Sequence, residues 1–164
     1  MSSDVSQSNV EARSPSPCAG DPRYRALDFW IGSWIARVPS GEVVGENVII
    51  SILEGCVLSE NWTGARGLTG KSYSFFNAAR ETWQQTWVDD RGTVTEFTHG
   101  TSEGETVVFL TGDTDGADGQ RRLTFTRIDD DHVRQLSEVA AGGAWDVEYD
   151  LRYERQAAEV AVVS

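Results

Sequence analysis

Trp145, Val147, Tyr149, Leu151 and Tyr153 alternate with Asp146, Glu148, Asp150, Arg152 and Glu154. A period of two sustained in this way puts one apolar and one charged face on an extended chain. A helix would scatter the same aromatics around its circumference. Weaker versions of the pattern recur from Asp28 onward, in runs at 33–38, 46–53, 56–63, 71–76, 83–88, 93–99, 105–111, 121–128 and 132–139. Turn-forming clusters such as Pro39-Ser40-Gly41, Glu54-Gly55 and Asp89-Asp90-Arg91-Gly92 separate them. The spacing predicts an all-β fold, an antiparallel up-and-down β-barrel of about 8–10 strands whose closure leaves no exposed edge. Residues 22–29 carry the only helical signal, one or two turns set against a barrel end.

A chain of 164 residues suits a single domain. Residues 1–20 are polar, carry Pro15 and Pro17, and lack the apolar core of a secretory signal, so they read as a disordered lead-in. The barrel then occupies 21–157 and a tail 158–164. A formal net charge of −12, with Lys71 the single lysine, argues against nucleic acid or anionic lipid as a partner. No apolar run reaches the length of a membrane span. The expected location is cytoplasmic, the expected partner is a small molecule, and a homodimer is compatible with the pattern. Reduced thiols are the default for Cys18 and Cys56, with an intramolecular disulfide open to them if the tail folds back over the second strand.

Two tryptophan-bearing segments give the chain its resemblance to known families. Gly32-Ser33-Trp34 resembles the G-x-W signature of the lipocalin/calycin superfamily. There the Trp plugs one end of a barrel and an Arg from the last strands lies over it, a part Arg152 or Arg155 could take. A closer resemblance is to the DUF1579-like bacterial proteins of unknown function. It runs through Asp28-Phe29-Trp30, Gly32, Trp34, Asn47, Gly55-Cys56, Leu58, Glu60, Trp62, Gly70, Ser72, Trp83, Gln85, Trp87 and Asp89. It continues through Arg122-Leu123-Thr124-Phe125-Thr126 and Arg134-Gln135 to Trp145, covering roughly residues 18–155. The resemblance implies a barrel and leaves the function open. This chain departs from the pattern at Ser137, where relatives carry a Trp, and at His99, where they carry an acidic or small residue. Either change could reshape a pocket.

Alternation sorts the polar candidates by face. Cys56, Leu58, Glu60 and Trp62 share one face of their strand, Trp83, Gln85, Trp87 and Asp89 one face of theirs, and Ser72, Ser74 and Phe76 a third. Turned inward, these faces would line a cavity with apolar walls and a few fixed polar groups, the makeup of a small-molecule site. The ligand-facing set is then Asn47, Trp62, Ser72, Phe76, Gln85, Trp87, Arg122, Gln135, Ser137 and Tyr149. Glu60, set against indoles, should be desolvated and held toward its neutral acid form, ready to move a proton. Alternatively, Arg122 or Arg134 pairs with it and it only braces the barrel. His99, placed on the face of Phe97, is the second candidate acid or base. It could hold haem, as in some calycin barrels, but a lone His without a supporting motif implies no cofactor. The histidines and cysteines have no metal-ligand spacing, and the acids of 113–119 fall at the wrong offsets for a calcium loop.

Two functions follow. One is a binding module that encloses a small, mostly apolar ligand. The other is a cofactor-free isomerase, cyclase or lyase using Glu60, with His99, as acid and base in the same pocket.

Overall fold

The computed structural model describes residues 13–157. All ten expected strands form: β1 (Gly32–Arg37), β2 (Val43–Ile52), β3 (Val57–Gly64), β4 (Thr69–Asn77), β5 (Thr82–Asp89), β6 (Val94–Glu103), β7 (Thr106–Leu110), β8 (Arg121–Asp129), β9 (His132–Ala141) and β10 (Ala144–Arg155). Each pairs antiparallel with its chain neighbours. β10 returns beside β1, with Trp34 opposite Arg155, so the sheet closes into a barrel. The helical signal at 22–29 becomes two short 3₁₀ turns, Pro22–Arg25 and Asp28–Trp30. No helix among the described residues is long and apolar enough to cross a membrane.

One end of the barrel is plugged. Leu27, Trp30 and Trp34 are fully buried there against Phe109, Phe125 and Val133. The Trp30 and Phe125 rings stand 4.5 Å apart, and Trp34 Nε1 donates to the Trp30 carbonyl at 2.8 Å. Of the two arginines open to the G-x-W role, the structure selects Arg155. Its guanidinium lies 4.3 Å over the Trp34 ring and donates to the Ile31 carbonyl at 2.8 Å. Arg152 points outward and is exposed. Gly32 makes this possible. Its φ of +142° disfavours other residues, and a Cβ there would collide with the Arg155 guanidinium.

Four corrections to the sequence reading come from chain path and register. Cys18 and Cys56 form the intramolecular disulfide that the sequence leaves open to them, with Cα atoms 5.0 Å apart. The bond ties the lead-in to the β2–β3 turn. Cys18 is consequently buried, so order begins before Gly20; residues 1–12 and the tail 158–164 lie outside the described residues. In β6, Phe97 faces Gln85 and Gly100 faces Trp83, which leaves Thr98 and His99 opposite the single residue Gln84. This bulge reverses the phase, and His99 emerges exposed on the outer wall, not beside Phe97. A second bulge in β10 inserts Glu148 between Val147, opposite Glu138, and Tyr149, opposite Ser137. Trp145 and Val147 therefore leave the inward face that strict alternation gave them, and Val147 is 63% exposed. Finally, Arg122 also points outward. It pairs with Glu138 at 3.1 Å and stacks 4.1 Å over Trp145, so it is not a ligand-facing residue.

Candidate functional site

The end opposite the plug is hollow because β4 offers small inward side chains. Gly70, Ser72 and Ser74 are all buried and follow one another along its inner face. The Trp87 indole packs against Gly70 and the Trp62 indole against Gly45, each where a Cβ would collide with the ring. Two large rings are thus laid against the wall instead of across the lumen. What remains is a cavity of about 400 Å³, within the usual range for a small-molecule site. Trp62, Gln85, Trp87 and Phe97 line one side of it, Gln135, Ser137, Tyr149 and Tyr153 the other.

Glu60 lies toward the plugged end of this cavity, 4% exposed. Its position follows from register, since Glu60 pairs with Ile49 on one side and Ser72 on the other. Asn47 Nδ2 donates to Oε2 at 2.6 Å and Ser72 Oγ to Oε1 at 2.7 Å. The same Asn47 amide reaches the Tyr153 hydroxyl at 3.1 Å. Tyr153 in turn donates to Gln135 Oε1 at 2.6 Å, and Gln135 Nε2 donates to the Tyr149 hydroxyl at 3.3 Å. A hydrogen-bonded relay therefore runs from the carboxyl across the barrel to a phenol on the opposite wall.

Burial pushes the Glu60 carboxyl above the usual carboxylate range, partly offset by the hydrogen bonds from Asn47 and Ser72. Burial, and the negative charge Glu60 can carry, push the Tyr149 and Tyr153 phenols up as well. The expected arginine partners lie elsewhere. Arg122 is engaged as described, and Arg134 pairs with Asp150 at 2.9 Å on the outer wall, so neither neutralises Glu60. A raised carboxyl leaves a signature in stability. Between the ordinary glutamate pKa and the higher one in the fold, the native state holds a proton that the unfolded chain has lost. Stability contributed below that window is then lost as pH rises, by about 1.4 kcal/mol per pH unit. Glu60→Gln should flatten this decline in denaturant melts taken at a series of pH values. Parallel curves for the two proteins would count against it.

The structure gathers most of the expected site and redistributes the rest. Trp62, Gln85, Trp87, Gln135, Ser137 and Tyr149 line the cavity with Glu60. Asn47 and Ser72 hold the carboxyl from behind without lining the space. Phe76 has the right face and the wrong depth: it packs near the plugged end, 6.2 Å from Trp83 and 5.3 Å from Tyr24. Sequence reasoning passed over Tyr153 and Arg121. Tyr153 is visible in the sequence only as one member of the apolar face of the β10 alternation. Arg121 shares the inward face of Leu123 and Phe125, and at the cavity rim it meets Glu148 at 3.3 Å. Glu148 reaches that position through the bulge, which no local pattern announces. Among the described residues no group of three His, Cys, Asp or Glu side chains is placed to hold a metal.

No family model matches the chain, and no curated protein matches it by sequence. The barrel is similar to the crystal structure of Rv2717c from M. tuberculosis, at a TM-score of 0.53 and 16% identity. The likeness covers 84% of this chain and 99% of that one. At that identity it speaks to the fold alone.

Proposed function

We propose that the protein binds a small, mostly apolar molecule in the barrel, with Glu60 meeting the polar end of that molecule. One observation carries this reading: a buried carboxyl, without a cationic partner among the described residues, faces a cavity of about 400 Å³ walled by aromatic rings. Enclosure of an apolar body provides affinity, and the few fixed polar groups provide orientation. The resemblance to the DUF1579-like proteins goes with this proposal, since it rests on residues that build the same walls.

Replacing Trp62 or Trp87 with Ala removes a face of the cavity. Each should weaken capture of a neutral fluorescent naphthylamine about tenfold, read from emission on titration. Unchanged affinity in both variants would sink the proposal.

A second reading is favoured by the raised carboxyl itself, which suits proton transfer near neutral pH. In a cofactor-free isomerase, cyclase or lyase, Glu60 would donate and accept the proton alone, because His99 is on the outer wall. Turnover of an identified substrate by Glu60→Gln at the wild-type rate would dismiss it.

A further inference from the structure

We propose that the molecule selected by this cavity is an organic ammonium, an amine whose cationic nitrogen meets Glu60 and whose apolar body lies among Trp62, Trp87 and Tyr149. This rests on the binding reading above and narrows it to one ligand class.

The first support is the missing counter-ion. Glu60 touches the cavity, yet its polar partners, Asn47 and Ser72, are both neutral. Buried carboxylates ordinarily persist by pairing with a cation. Here a cationic ligand would supply the pair that the described residues do not. The second support is the sign of the surrounding charge. Three carboxyl groups line the cavity, Glu60, Asp89 and Glu148, against the single guanidinium of Arg121, which Glu148 already engages. Together with the net charge of −12 on the chain, this field repels anions and draws cations inward. The third is the wall itself. The π faces of indole and phenol attract ammonium groups. Trp62 stands two residues from Glu60 on the same face of β3, and Trp87 lies in the same cross-strand row, separated from Glu60 only by the small Ser72. An ammonium favours the ionised form of Glu60, whereas a carboxylate ligand would oppose it. A neutral alcohol would fill the same space and gain nothing from the charge.

Three probes with one apolar body separate these cases: 4-phenylbutylamine, 4-phenylbutanol and 4-phenylbutyrate, each titrated calorimetrically and in competition with the neutral naphthylamine at pH 7. The amine should bind wild-type protein about tenfold or more tightly than the alcohol, with the acid weakest. In Glu60→Gln the preference for amine over alcohol should disappear. Equal binding of amine and alcohol to the wild type overturns the inference without needing any variant. So does an amine preference that survives in Glu60→Gln, or failure of the amine to bind where the naphthylamine does. Failure of the naphthylamine itself to bind would instead bring down the underlying binding reading.

Discussion

Reducing the Cys18–Cys56 disulfide, or replacing both cysteines with Ser, will lower the free energy of unfolding by about 4 kcal/mol. The bond closes a loop of sequence separation 38 in the unfolded chain, and its loss restores the corresponding chain entropy. The native side of the balance changes too. Cys18 is 4% exposed, and Ser16 Oγ stands 3.2 Å from Cys56 Sγ, so the lead-in is seated on the barrel at the bond. Without the cross-link, ordering that segment must be supported by those few contacts. For a domain of this size the melting temperature should fall by about 10 °C, measured by circular dichroism with and without reductant. The cavity opens at the opposite end, so naphthylamine capture below the transition should be unaffected. Coincident melts for the oxidised protein and the double-Ser variant would show that the bond adds no stability.

Trp30→Ala will cost about 4 kcal/mol, read from urea midpoints. Trp30 is fully buried, packs its ring tilted against Phe125 and sits 6.3 Å from Tyr153, so truncation empties the centre of the plug. Two details moderate the loss. The indole Nε1 of Trp30 has no hydrogen-bond partner among the described residues, so removing it breaks none of theirs. The Trp34 indole bonds the Trp30 backbone carbonyl, which alanine retains. The plug and the cavity occupy different depths of one barrel. While folded, the variant should keep the probe affinity of the wild type. A midpoint within experimental error of wild type would mean that the plug does not hold the barrel together.

The strand rhythm made the barrel and most of its interior legible. Parity alone placed Glu60, Trp62, Gln85 and Trp87 on the inside, since a one-residue error would have turned each of them outward. Parity fails wherever a strand carries an extra residue. The bulge at Thr98 and His99 removed a candidate base from the site, and the bulge at Glu148 moved Trp145 outward while bringing a carboxylate to the rim. A bulge is settled by pairing across strands, so a single strand read by itself gives no sign of it. Depth was equally hidden. Phe76 and Gln85 both face inward, but only the closed barrel shows that one helps fill the plugged end while the other lines the cavity. The disulfide depended on where the lead-in runs, which no periodicity records.

Ser137 offers the most direct test that the inward faces of these strands enclose a working cavity. It is 2% exposed and lines the cavity; its neighbour Leu136 faces the outer wall. Ser137→Trp and Leu136→Trp add the same ring one residue apart. Naphthylamine titration of the two folded variants should find capture abolished in Ser137→Trp and preserved in Leu136→Trp. Equal capture by both would mean that the probe, and any natural ligand it stands for, does not enter the barrel.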